Sequence, residues 1–174
     1  PELLHQYISF TSDLHKKLVM RFKKFVCIGT KTRYFLRPSV EHFTTFAAGM
    51  LALGSVKANK NATDDFNLAT DLVNSYIWLQ TCFNSGLVPD YVLFDFNSKK
   101  SPSKSEEKND KNDDDENGFK NIEIAILTNQ YKLRPETVES IYWLWKFTGD
   151  RLYRDAAWKI FVSLNKSCRV RDGF

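Results

Sequence analysis

Apolar side chains recur at helical spacing along several stretches of this chain, and polar clusters separate them. Leu4, Ile8, Leu14, Leu18, Val19 and Phe22 form a stripe that predicts a helix across residues 3–24. Residues 25–37 alternate β-branched and aromatic positions around Gly29-Thr30-Lys31, which predicts one short hairpin. Phe43 to Leu53 is apolar on nearly every side, the mark of a helix set deep in a core, with Gly54 as its C-cap. Thr63 or Asp64 can cap the next helix. Its buried side reads Ala69, Leu72, Val73, Tyr76, Ile77 and Phe83, and it runs to about Ser85 before Gly86. Tyr91-Val92-Leu93-Phe94 reads as a brief strand.

Two helices close the chain. The first starts near Pro135, a residue favoured at the first helical position, and ends at Thr148-Gly149. Trp143 and Trp145 are expected in the core beneath it. Asp150 can cap the second helix, whose stripe is Leu152, Ala156, Ala157, Ile160, Phe161 and Leu164. The short link implies an antiparallel pair. The fold class expected from these patterns is all-α with minor β. Residues 98–118 interrupt it. They hold Ser, Lys, Asp, Asn and Glu, with no apolar side chain except Pro102, and predict a disordered polar insert. The acidic run Asp113–Glu116 lacks the alternate spacing of a looped calcium site.

Composition narrows the classes further. The 174 residues suffice for one ordinary domain core, and 43% of them are hydrophobic. The net charge of +4 is a mild excess. Its densest cluster (Lys16, Lys17, Arg21, Lys23, Lys24) reads as a solvated helix face, so no nucleic-acid partner is expected. No apolar run approaches the roughly 20 residues that span a bilayer. Cys27, Cys82 and Cys168 are too scattered for a structural zinc site. Asn61-Ala62-Thr63 and Asn165-Lys166-Ser167 are sequons, relevant in a secretory compartment.

The candidate chemistry lies in Leu133-Arg134-Pro135-Glu136-Thr137-Val138-Glu139-Ser140. Glu136 and Glu139 are three residues apart, hence neighbours on a helix, and Arg134 stands just before them. Two carboxylates and a guanidinium at a helix mouth suit a polyol or a hard cation. An acidic first turn complementing the helix dipole is the simpler alternative. His42, flanked by apolar residues, reads by itself as a core histidine.

The stretch Tyr131 to Asp150, with Tyr153-Arg154, Trp158, Ser167-Cys168-Arg169-Val170 and Gly173-Phe174, resembles the signature of glycoside hydrolase family 47, the class I α-1,2-mannosidases. Glu41-His42-Phe43 with Phe46 to Gly54 resembles a second motif of that family. Gly86-Leu87-Val88-Pro89-Asp90 resembles its Gly-Leu-x-Pro-Glu. The resemblance implies an (α/α)₇ barrel of paired helices, of which residues 1–174 are part of the catalytic domain. It implies inverting hydrolysis of terminal α-1,2-linked mannose from high-mannose N-glycans or glycoproteins, with a calcium ion. By the same likeness, Glu136 stands at the general base and Glu139 at a second glutamate of the calcium and substrate floor, both serving the metal through water. Arg134 and His42 stand at substrate-binding positions. Asp90 is carried over as a candidate catalytic carboxylate, one methylene shorter than the glutamate of the motif. Thr45 and a position near Tyr76 stand where many members join two helices by a disulfide.

The likeness places the acid glutamate and another catalytic aspartate before this segment, and the calcium-binding threonine after Phe174. These 174 residues alone are therefore expected neither to hold calcium tightly nor to cleave mannose. The implied setting is the lumen of the endoplasmic reticulum or Golgi, with membrane attachment only through an anchor absent from this chain. A non-catalytic glycan-binding or quality-control protein retaining the barrel is the rival reading. An unrelated helical interaction domain is a third, and it predicts Glu136 and Glu139 on the surface, away from His42.

Overall fold

The computed structural model describes residues 2–58, 62–96 and 122–174. The predicted polar insert, residues 98–118, lies outside the described residues, as does Asn61 of the first sequon. The fold is mostly helical with some strands. Helix α1 (Glu2–Lys17) leads into hairpin β1 (Val19–Phe22) and β2 (Phe25–Ile28), then hairpin β3 (Thr30–Lys31) and β4 (Leu36–Arg37). Strand β5 (Ser39–Glu41) enters a 3₁₀ turn, His42–Thr45, which runs into helix α2 (Phe46–Ala58). Helix α3 (Ala62–Thr81), strands β6 (Tyr91–Asp95) and β7 (Glu123–Thr128), and helices α4 (Glu136–Thr148) and α5 (Arg151–Ser167) complete it.

The first helix is shorter than its stripe predicts. Val19 and Phe22 fit a helical spacing, but they also fit a strand, and pairing with β2 takes them. The Leu18 amide still closes onto the Leu14 carbonyl, and the Gly29 amide then starts the ladder on the Leu18 carbonyl. Lys23, at φ 49°, makes the turn. The single predicted hairpin becomes two, with Gly29 at their junction, where a Cβ would lie 2.7 Å from the Arg37 carbonyl. Strand β7 had no counterpart in the sequence reading; it pairs with β6 in the antiparallel sheet β5-β6-β7.

Helix α2 does not stop at Gly54 but continues to Ala58. Gly54 answers a close approach instead, since a Cβ there would overlap the Tyr7 hydroxyl. Helix α3 ends at Thr81, short of Ser85, in tightened turns: Cys82, Phe83 and Gly86 amides bond three residues back. The two closing helices follow their expected caps. Gly149 takes φ 69° and its amide meets the Trp145 carbonyl; the Asp150 carboxylate accepts from the Leu152 amide at 2.8 Å. Trp143 packs against the core, whereas Trp145 lies on the exposed side, as do Leu152 and Phe161 of the predicted α5 stripe. Tyr153, Ala156 and Ile160 are the buried face of α5.

The core joins α2, α3 and α4 to β2 and β6 through Phe25, Leu51, Leu68, Leu72, Leu79, Val92, Ile141 and Leu144, all fully buried. One contact sets how near α2 and α4 can come. The Ser140 hydroxyl accepts from the Gly49 amide at 2.8 Å and donates to the Thr45 carbonyl at 2.7 Å. It thereby bridges two groups, four residues apart, that a regular helical turn would join directly. Glycine at 49 makes room for it, because a Cβ there would stand 3.1 Å from the Ser140 Cα.

Gly49→Ala should therefore destabilise the protein by about 1–3 kcal/mol, the usual cost of overpacking, despite alanine's better helix propensity. A shift of the urea midpoint to lower concentration is the expected reading; an unchanged or higher midpoint would show that the α2–α4 contact can relax.

Candidate functional site

The sheet delivers three segments to one place. Strand pairing carries Glu41 opposite Tyr91 and Tyr91 opposite Thr128. The ladder then extends one step past the strands. The His42 amide donates to the Asp90 carbonyl at 2.8 Å, and the Asp90 amide donates to the Gln130 carbonyl at 2.9 Å. Asp90 thus sits between the turn that holds His42 and the extended link that leads into α4.

That link is Gln130 to Pro135. Leu133 adopts φ 52°, a left-handed conformation rare for a side chain of its kind, and such strain concentrates at functional positions. Lys132 and Arg134 flank it. Lys132 Nζ meets Asp90 Oδ2 and Arg134 Nε meets Asp90 Oδ1, both at 2.7 Å. Asp90 is only 5% exposed, so its charge is matched by two cations at the edge of the fold. The Lys132 hydrogen bond first, and then that of Arg134, hold its carboxyl below the usual carboxylate range. Arg134 also lies over the Phe43 ring, 5.6 Å from its centroid.

With Arg134 held by Asp90, its contact with Glu136 is long, Nη1 to Oε1 at 4.0 Å. Glu136 opens α4, and its side chain is 14% exposed. Its Oε2 is buried and has no partner among the described residues. His42 Nδ1 is in the same condition. His42 is 3% exposed beside Tyr131, with ring centroids 5.3 Å apart. Burial lowers its pKa below the ordinary imidazole value, against the upward pull of Glu136 and Asp90. Burial also pushes Tyr131 up to about 12. The imidazole is therefore neutral at pH 7, and it is not the satisfied core histidine of the simple sequence reading.

The structure brings together four of the five candidate residues: His42, Asp90, Arg134 and Glu136. Glu139 is separate. It is exposed and lines a largely apolar hollow of about 490 Å³ with Phe46, Gly49, Met50 and Trp143. That hollow is larger than the narrow cleft at His42, Tyr131 and Thr137, and it does not include the polar cluster. Lys132 escaped the sequence reading. Its signal was available: Lys132 and Arg134 are two apart in an extended segment, a spacing that returns to the same side.

Calcium takes oxygen ligands, and the partnerless Glu136 Oε2 is a suitable hard donor. Among the described residues no group of three or more His, Cys, Asp or Glu gathers to hold a metal. Cys27, Cys82 and Cys168 are free.

Residues 1–174 match the model of Glycosyl hydrolase family 47. The chain is 31% identical over 134 residues to the mannosyl-oligosaccharide alpha-1,2-mannosidase 1B of Emericella nidulans, covering 77% of this chain and 24% of that protein. It is 26% identical over 174 residues to the endoplasmic reticulum mannosyl-oligosaccharide 1,2-alpha-mannosidase of Mus musculus, again 24% of that protein's length. Among solved structures, an alpha-1,2-mannosidase from Trichoderma reesei superposes with a TM-score of 0.77 at 20% identity, covering 98% of this chain and 34% of that one. This last likeness is one of fold.

Protonation bears directly on stability here. Asp90 titrates near 3.9 when unfolded and lower when folded. Its stabilisation is full above the unfolded value and is lost as pH falls through the folded one. His42 acts in the same direction: below about 6.5 the unfolded chain takes up a proton that the fold resists. Asp90→Asn should cost about 1–3 kcal/mol at pH 7, and the gap to wild type should narrow as pH drops from 4 toward 2. Chemical denaturation across that range measures it; a constant gap would mean that charge is not the cause.

Proposed function

We propose a function from one premise: the chain belongs to glycosyl hydrolase family 47, whose model spans all 174 residues. The chain covers 24% of the length of the relatives it matches, so the activity is that of a longer parent protein. The proposed reaction is hydrolysis of terminal α-1,2-linked mannose from high-mannose N-glycans, with inversion, inside an (α/α)₇ barrel to which these helices contribute. The observation that carries this reading is the buried, partnerless carboxylate oxygen of Glu136 in the same cluster as the buried, partnerless Nδ1 of His42.

Inversion needs a carboxylate base placed so that a water fits between it and the sugar. Glu136 suits that role because Asp90 occupies Arg134, leaving the Glu136 oxygens free of a short ion pair. The base accepts a proton from the attacking water at Oε2. Arg134, fixed at Nε by Asp90, keeps its remaining N–H groups for sugar hydroxyls. Neutral His42 can offer either a donor or an acceptor at Nδ1. Asp90 orients Arg134 in this scheme, in place of the catalytic role carried over from the motif. The acid that protonates the leaving oxygen comes from elsewhere in the parent.

Calcium is proposed at the floor of the site, where it would order water and sugar hydroxyls. Glu136 would serve it through water. Glu139, one helical turn on from Glu136, would serve the same ion through water from the other side of that turn. A lumenal setting in the endoplasmic reticulum or Golgi is supported by the exposed Asn165 of the second sequon and by the likeness to the mouse protein. No helix among the described residues is long and apolar enough to cross a membrane, so any anchor would come from other residues of the parent.

In the full-length parent, Glu136→Gln should lower kcat on the order of 10²–10⁴-fold while leaving the fold intact, because a carboxamide keeps the shape and loses the basicity. A high-mannose glycan assay, with and without a calcium chelator, reads both parts. Chelator-sensitive release of mannose with inverted configuration is the expected result. Unchanged turnover in the variant would remove Glu136 as base, and glycan binding without any release by the wild type would favour the non-catalytic reading.

A further inference from the structure

We infer that Thr45 is a positioning residue, whose hydroxyl fixes where Glu136 stands relative to His42. The inference rests on the reading of Glu136 as base. Thr45 is three residues after His42 and 2% exposed. Its Oγ1 donates to the His42 carbonyl at 2.7 Å and lies 2.9 Å from Thr137 Oγ1. A hydroxyl has one proton. With that of Thr45 committed to His42, Thr137 must be the donor in the hydroxyl pair. Thr137 is the residue immediately after Glu136 and is itself buried. The chain of bonds therefore runs from the His42 carbonyl through two hydroxyls to the residue adjoining the base.

A second rung lies one turn further along α4. Ser140, fully buried, donates to the Thr45 carbonyl and accepts from the Gly49 amide. Both rungs end on Thr45, one at its hydroxyl and one at its carbonyl. Two attachments a turn apart resist both sliding and rotation of α4 against the turn that holds His42. The Ser140 rung also satisfies an amide at the start of α2, so its loss would disturb the helix itself. The Thr45 hydroxyl has no such duty to α2. Its removal leaves the packing and frees the register, and a displacement of about 1 Å can cost on the order of a hundredfold in rate.

Thr45→Val keeps the shape and deletes the hydroxyl. In the full-length parent it should lower kcat about 10–100-fold with KM changed less than about twofold, and Thr45→Ser should restore most of the rate. Thr137→Val should have a similar effect, and the double variant should be no worse than either single one, as expected for partners in one bond. Hydrogen exchange of residues 136–144, read without substrate, should quicken in Thr45→Val and not in Thr45→Ser. Additive losses, or a rate unchanged in Thr45→Val, would overturn the assignment. If the wild-type parent releases no mannose, the functional reading fails by itself, and the exchange measurement still decides whether Thr45 holds α4 in place.

Discussion

A buried carboxylate has to find cations, and Asp90 is where this fold meets that requirement. Its side chain binds Lys132 and Arg134 while its backbone bonds to His42 and Gln130 on either side. Four interactions converge on one residue from two segments far from it in the chain, the 3₁₀ turn and the link that runs on into α4. Each segment carries part of the candidate site: the 3₁₀ turn carries His42, the link carries Arg134, and α4 begins with Glu136. Without the Asp90 charge, the cations have reason to swing outward, and the backbone ladder alone would hold the link. The strained Leu133 lies in this link, between the two cations.

Pairing at Asp90 also divides labour among the charges. Arg134 cannot make short ion pairs with both carboxylates, and geometry gives Asp90 the 2.7 Å contact and Glu136 the 4.0 Å one. Burial keeps His42 neutral nearby. These are properties of arrangement: the same residues with Arg134 turned to Glu136 would make an ordinary helix-terminal ion pair.

Much of the framework was legible locally. Gly149 and Asp150 announced the break between the last two helices because a left-handed C-cap and a side-chain N-cap are chemistry of one or two residues. The nearly all-apolar run from Phe43 to Leu53 marked the central helix, although its first residues form the 3₁₀ turn and Phe43 and Phe46 stay exposed. Periodicity failed where one residue satisfied two patterns. Val19 and Phe22 lie on a helical stripe and equally on a strand, and only β2 decides between them. Gly54 looked like a helix end because glycine serves both caps and close approaches, and the tyrosine that explains it is 47 positions away in the chain, at Tyr7.

The candidate site divides along the same line. Sequence pattern and family likeness together determined the set His42, Asp90, Arg134, Glu136 and Glu139, because side-chain chemistry and short spacings survive in a linear string. Tertiary structure alone decided that Glu136 is buried without a partner while Glu139 lines an apolar hollow, although the two share a helical face by spacing. It alone decided that Asp90 captures Arg134 across 44 positions and that Thr45 meets Thr137 across 92. Such pairings depend on how closely separate elements can pack. Packing is settled by residues such as Gly49 and Ser140, whose effect appears only once two helices lie against each other.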